Sequence, residues 1–442
     1  MEKYFAQYKK IIASDPIKYK EDFAKVYNQL EDSHAYYQGE VIPFLYQPFF
    51  FSQAEEDLFK RITNQLSSIL EKVITKYLTD AEFRDYFNFS SRLEELILVE
   101  PGYENDFPLA RFDIFYYGQQ NLKFCELNAD GSSGMVKSNI LDAHFKDAKA
   151  VNELKKKYKI EHWDMIDSWL ETMFASYREF SGSERQPNIA IMDFDNYGMI
   201  GEFKYFKELL AERGYQVQIV DPRKVEYKDD ALYSDDFKID LIYRRAVTRD
   251  LMDHYEELDD LWQAYQDHAV CLVGPIRSQI IHNKIIFAIL HDQEQVSFLS
   301  EEEEQFIAEY IPYTELIDTD NEEKLTEIIA RQEELVLKPL DDYGANGVMI
   351  GVDVKKEEWA KEVKRIWEEE EEYLIQEFCA LPEKELIDFE AGELNYNSYK
   401  YILGLFNYKQ DFKGIYNRAG QQNVIASSTG CVTLPNFKLV EK

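Results

Sequence analysis

Residues 111–134 read RFDIFYYGQQNLKFCELNADGSSG, and the apolar residues on both sides of GQQN constrain this stretch to one hairpin. The pattern predicts strands over 111–117 and 122–128 with a turn at 118–121. A symmetric register sets Asp113 opposite Glu126 and Arg111 opposite Asn128, all four side chains on one face. Two carboxylates then meet directly. Like charges so close destabilise a sheet unless something compensates, and an oxygen-binding cation such as Mg²⁺ is the economical candidate. The alternative is a solvated face on an exposed hairpin, with Arg111 making an ordinary ion pair.

A chain of 442 residues that is 45% apolar and 15% aromatic can bury a sizeable core, in two or three associated subdomains. Its formal charge of −34, from 84 acidic and 50 basic residues, argues against DNA, RNA or an anionic membrane as partner. Small molecules are the expected substrates, and an anionic one needs a local basic pocket. Cys125, Cys271, Cys379 and Cys431 are widely spaced with no CxxC pair, which favours reduced thiols over disulfides or zinc. The start MEKYFAQYKKIIASD lacks the apolar core of a signal peptide, and no window approaches the about eighteen apolar residues of a membrane span. A cytoplasmic location is therefore expected. The acidic runs at 301–304 and 368–372 read as solvated helix ends.

Residues 1–100 are patterned as helix, most clearly Leu58, Ile62, Leu66, Ile69, Leu70, Val73, Ile74 and Tyr77 at three- and four-residue steps. More helix is expected over 136–180, up to a boundary at SGSERQPN. Then come a buried strand in NIAIMDFD, a helix over 200–213 and a strand in YQVQIV, which make a βαβ unit. The strand IDLIYRR would present Arg244 and Arg245 at the carboxyl edge of a parallel sheet. With Arg249 these suit a substrate carboxylate, or they pair with Asp250 and Asp253. DNYGMIG lacks the GxGxxG spacing of a dinucleotide site. Residues 280–290 read as a helix carrying Lys284, followed by strands in LVLKP, VMIGV, EYLIQEF, YKYILGLF, GIYNRA and NVIASS. The expected division is 1–180, helical with the hairpin; 181–275, α/β; and 276–442, a nucleotide-binding lobe.

In ELVLKPLDDYGANGVMIGV, Lys338 closes an apolar strand and a loop of Gly344, Ala345, Asn346 and Gly347 leads to the next. No Walker GK[ST] follows, but a glycine-bearing loop can fold over phosphates while a strand lysine reaches their oxygens. A plain hairpin with a surface lysine fits the same residues. The end of EEYLIQEF, at 376–378, offers backbone groups to an adenine edge. Lys284 is either a snorkelling helix lysine or a second phosphate ligand. Acidic face, strand lysine, glycine loop and second lysine together are what an enzyme binding Mg²⁺ and ATP requires, and here the metal face comes first.

RFD followed by ELNADGSSG, then YRRAV, HNKIIFAIL, VLKPLDDYGANGV, YLIQEF and GIYNRAG run in the order found in circularly permuted ATP-grasp ligases. Over about 110–420 the chain resembles the glutathionylspermidine synthase family most. The resemblance implies an α+β/α/β circularly permuted ATP-grasp fold with a Rossmann-like preATP-grasp domain, here 181–275. It implies an ATP-dependent carboxylate-amine ligase that passes through an acyl phosphate. Asp113, Glu126 and Asn128 would ligate Mg²⁺, and Arg111 would stabilise charge at the reacting carbonyl. Ser132 and Ser133 would contact the acceptor carboxylate or its acyl phosphate, Lys284 and Lys338 the ATP phosphates, and Gly344, Ala345, Asn346 and Gly347 would cover them. Gln376 and Glu377 would frame the adenine, while Arg418 would lie near the phosphates or the substrate. ADGSSG and the ending STGCVTLPNF match the family only in outline, and the chain has no room for an amidase domain, so glutathione and spermidine are not assumed as substrates. A nucleotide-binding protein without ligase activity and a kinase stopping at a phosphorylated product are the rivals.

Overall fold

A computed structural model of the chain describes every residue except 38, 196, 320, 343, 390, 391, 427 and 428. The hairpin forms as expected, from strands Leu109–Gly118 and Asn121–Asn128. Arg111 pairs with Asn128 and Asp113 with Glu126, and the register shifts only beyond Asp113. This hairpin is one edge of a six-stranded sheet completed by late segments of the chain: Asn395–Tyr408, Asp411–Gly420, Val432–Leu434 and Glu383–Asp388. These four late strands, placed by sequence with the nucleotide lobe, thus share a sheet with the acidic face.

Beneath the sheet lies the helix Gln53–Thr79, opened by a capping box of Ser52 and Glu55. Its buried side chains include Leu58, Ile62, Leu66, Ile69, Leu70, Val73, Ile74 and Tyr77, the row anticipated from periodicity. Phe59 packs edge-on to Tyr116 of the hairpin at 5.2 Å, and Ser67 accepts a 2.7 Å hydrogen bond from Asn407. Each apolar side chain so buried contributes roughly 1.5–3 kcal/mol before entropy is counted, which makes the sheet a rigid platform.

A parallel sheet holds Cys271–Val273, Leu241–Arg244, Ile189–Met192 and Val217–Val220 in that order. Helices Met165–Ser181 and Ile200–Glu212 cover it through Trp169 and Phe206, whose rings stack at 4.3 Å. A second four-stranded sheet, Thr314–Leu316, Tyr373–Glu377, Leu335–Pro339 and Met349–Ile350, is backed by Ile328, Trp359, Val363 and Ile366. No helix among the described residues is long and apolar enough to cross a membrane. The four cysteines are free, and three of them are buried.

Three local expectations fail. Residues 280–290 are two short helices, Gln279–His282 and Ile285–His291, because Asn283 is extended and the Lys284 N–H donates to Leu340 instead of continuing the turn. The break carries Lys284 out of the helical stack. A strand, Tyr158–Glu161, interrupts the helical stretch 136–180, where pairing with Asn436–Glu441 outweighs local preference. Residues 423–426 form a loop, not a strand, since the Thr429 hydroxyl bonds the backbone of Val424 and Ala426; residues 427–428 lie outside the described residues.

Candidate active site

Asp113 is 2% exposed, and its carboxylate is fully engaged. Arg111 Nε donates to Oδ1 at 2.7 Å and Nη2 to Oδ2 at 3.1 Å, while Arg418 Nη2 and Asn128 Nδ2 reach Oδ2 at 2.5 and 3.3 Å. Room for this group comes from Gly404, opposite Asp113 on the neighbouring strand, where a Cβ would lie 2.8 Å from Asp113 Oδ1 and 2.6 Å from Arg111 Cδ. Gly404 belongs to none of the motifs read from the sequence. The available signal was a lone glycine inside the apolar strand YILGLF, which marks close backbone approach.

Glu126 faces the same cleft and is only partly buried. Asn128 bridges the two carboxylates, donating to Glu126 Oε2 at 3.2 Å as well as to Asp113. Burial pushes the Glu126 carboxyl up, but Lys284, then Arg111, Lys338 and His282, hold it down at about 2. Lys284 Nζ stands 3.7 Å from Glu126 and donates to the Asp342 carbonyl at 2.5 Å. Lys338 Nζ donates to Gln376 Oε1 at 2.7 Å and to the Cys125 carbonyl, next to Glu126, at 3.2 Å. Burial lowers the Lys338 pKa. The acidic hairpin and both lysines of the later lobe therefore meet at one place.

The Gly344, Ala345, Asn346 and Gly347 loop is exposed, with positive φ at Gly344, Ala345 and Gly347. Its base is fixed: Arg249 donates to the Asp341 carbonyl at 2.7 Å and pairs with Asp342, and Gln279 bonds the Asp341 carboxylate at 2.9 Å. The Gln376 side chain links Lys338 to the Thr314 hydroxyl. The backbone N–H groups of Glu377 and Phe378, offered to adenine by sequence reasoning, already donate to the carbonyls of Tyr313 and Glu334. Glu377 is exposed, and its carboxylate accepts from the Tyr313 N–H at 3.4 Å.

Carboxylates from other segments reach Arg244 and Arg245, at the parallel sheet's carboxyl edge, and Arg249, on the helix Thr248–Asp253. Arg244 pairs with Asp130, Arg245 with Glu202 at 3.0 Å, and Arg249 with Asp342 at 3.1 Å. Ser132 and Ser133 lie between the two sheets, their carbonyls accepting from Arg245 and Arg111. Beside them a cavity of about 430 Å³ is lined by Gly131, Ser133, Asp193, Tyr197, Arg245 and Asp250, among others. It sits outside the carboxyl ends of Ile189–Met192 and Leu241–Arg244, where the strand order reverses and ligands of open α/β sheets bind. Burial pushes the Asp193 carboxyl up to about 6, against the pull of Arg245. Asp193 and Glu202 carried no signal in the sequence, since neither belongs to a recognisable pattern.

No three or more His, Cys, Asp or Glu side chains among the described residues form a metal cage. Mg²⁺ held partly by nucleotide phosphates does not need one, because one or two carboxylates suffice. Glu126, ionised and open to the cleft, fits that donor set, with Asn128 beside it. Asp113 already accepts from three side chains, so a cation reaching it must displace a donor.

A family model described as circularly permuted ATP-grasp type 2 matches residues 95–409. The chain is similar in structure to a glutathione synthetase-like effector from Globodera pallida, with 12% identity, a TM-score of 0.59, and coverage of 94% of this chain and 96% of that one. It also matches D-cycloserine synthetase, at 11% identity, TM-score 0.31 and coverage of 57% and 92% of the two chains. A RimK domain ATP-grasp protein from Sphaerobacter thermophilus matches at 17% identity, TM-score 0.29 and coverage of 56% and 89%. No curated protein sequence matches the chain. With that family model spanning most of its length, hairpin and lysines included, the chain belongs to the circularly permuted ATP-grasp type 2 family.

Proposed function

We propose that the protein is an ATP-dependent ligase that joins a carboxylate to an amine through an acyl phosphate. The observation that carries this reading is the meeting of Lys284 and Lys338 with Glu126, an arrangement that suits a triphosphate and its cation. Glu126 and Asn128, with Asp113 behind them, would hold Mg²⁺, which neutralises phosphate charge when bound. Lys284 and Lys338 bind phosphate oxygens, and the Gly344 to Gly347 loop, anchored at its base, covers them. Transfer of the γ-phosphoryl group to the substrate carboxylate breaks its bond to the β-phosphate and releases ADP.

Arg111 and Arg418 converge on Asp113 at this face. Held there, they stabilise the oxyanion that forms when an amine attacks the acyl carbonyl and phosphate leaves. Ser132 and Ser133 border the acceptor, and the adjoining cavity receives the second substrate. Its carboxylates, Asp193 and Asp250, draw in the amine as its ammonium form, which gives up a proton to a carboxylate there before the free amine attacks.

Hydroxylamine trapping tests the reading. With Mg·ATP and a panel of amino acids and small peptides, the protein should release ADP and form a hydroxamate. Phosphorylation of a substrate without hydroxamate would indicate a kinase, and nucleotide binding without ADP release a non-catalytic role; either result rejects the ligase.

A further inference from the structure

Glu202 lies on the helix Ile200–Glu212, away from the hairpin, and is only 2% exposed. Its Oε2 accepts from the N–H groups of Gly134 and Val136, at 3.3 and 3.4 Å, where the helix Met135–Phe145 begins. Its Oε1 stands 3.0 Å from Arg245 Nη2. Arg245 in turn donates through Nη1 to the Ser132 carbonyl and to the Tyr243 hydroxyl. From the opposite side, Arg111 Nη1 donates to the Ser133 carbonyl at 2.6 Å. Consecutive carbonyls of one short segment are thus gripped by guanidinium groups from two different sheets.

The ends of that segment leave little slack. Gly131, at φ +56°, packs so that a Cβ would come 2.6 Å from the Arg245 carbonyl, and Gly134, at φ +99°, lies equally close to the Tyr416 ring. Asp130, just before it, is paired with Arg244 and accepts from the Thr248 N–H at 2.6 Å. Glu202 touches both the start of the helix and Arg245, so one carboxylate ties the two together. Without its charge, Arg245 would lose the carboxylate it is paired with and keep only the field of Asp193, and its hold on the Ser132 carbonyl would weaken.

We propose that Glu202 is a positioning residue: through Arg245 and the amides of Gly134 and Val136 it fixes the 131–134 segment against Arg111, and so sets where the acceptor carboxylate sits. The effect on the acceptor rests on the ligase reading above; the effect on the segment does not. Arg245 accordingly acts through the Ser132 carbonyl it holds, its charge balanced by Glu202.

Two readouts test this. Glu202→Gln keeps an oxygen for the two amides and removes the charge. Hydrogen exchange in the 131–136 segment should accelerate about tenfold or more while the lysine-bearing strand Leu335–Pro339 is unaffected. In hydroxamate assays the KM for the carboxylate should rise about tenfold with the Kd for Mg·ATP unchanged, a split that general loss of stability does not produce. Because a lone buried arginine can compromise folding, a second variant combines Glu202→Leu with Arg245→Met, which removes both charges together. It should show the same raised KM. Wild-type exchange in Glu202→Gln, or a wild-type carboxylate KM in the double variant, overturns the proposal. A wild-type protein that forms no hydroxamate with any carboxylate defeats the ligase reading instead, and exchange alone then decides the role of Glu202.

Discussion

Glu126 and Asp193 are both cleft-lining carboxylates at the ends of strands, yet their proton affinities diverge, to about 2 and about 6. Burial raises both. Around Glu126 stand Lys284, Arg111, Lys338 and His282, and their combined field overrides desolvation. Asp193 has Arg245, whose charge is already balanced by Glu202, while Asp250 and Asp221 push its carboxyl further up. The contrast separates the two halves of the cleft: the hairpin face sets cations around one carboxylate, whereas the sheet-edge cavity sets carboxylates beside an arginine that is already paired.

The largest effect expected from breaking this contrast is at Glu126. Glu126→Ala should abolish Mg²⁺-dependent turnover while circular dichroism remains that of the wild type; normal turnover would make the carboxylate a bystander. Arg111→Ala should lower turnover about a hundredfold, as loss of one oxyanion donor typically does, with the Kd for Mg·ATP little changed. Gly404→Ala places a methyl against Asp113 and Arg111 and should destabilise the protein by about 1–3 kcal/mol, seen as a lower denaturation midpoint.

Smaller shifts come from pH. Glu126 has a folded pKa below its unfolded value, so its contribution to stability is present above about pH 5 and is lost as pH falls toward about 2. Melting curves should show that loss in the wild type and a weaker one in Glu126→Gln. Asp193 has the opposite sign: its raised pKa favours the folded state below about pH 4, and that advantage disappears as pH rises through about 6. Asp193→Asn should therefore be more stable than the wild type at pH 7 and equal to it at pH 4. Equal melting temperatures at both values would remove the asymmetry between the two regions.

The hairpin was legible because its register follows from strand alternation about a short turn, which local sequence specifies. The parallel βαβ unit and the buried row of Gln53–Thr79 were legible for the same reason. What the sequence concealed is who neutralises whom. Two facing carboxylates suggested repulsion relieved by a metal; the structure adds Arg418 beside Asp113 and Lys284 beside Glu126, both brought from distant parts of the chain. Arg244 and Arg245 were read as ligands of a substrate carboxylate or as partners of nearby Asp250 and Asp253; the fold sets Asp130 and Glu202 beside them. The break before Lys284 was hidden because the Leu340 carbonyl that captures its N–H lies in another segment.

Titration of ATP with and without Mg²⁺ into the wild type, Glu126→Gln and Lys338→Met tests most directly whether hairpin and lysines form a single site. The account predicts that Mg²⁺ tightens ATP binding in the wild type, that Glu126→Gln retains Mg²⁺-free binding but loses the tightening, and that Lys338→Met weakens both. Equal Mg²⁺ enhancement in Glu126→Gln and the wild type would contradict it.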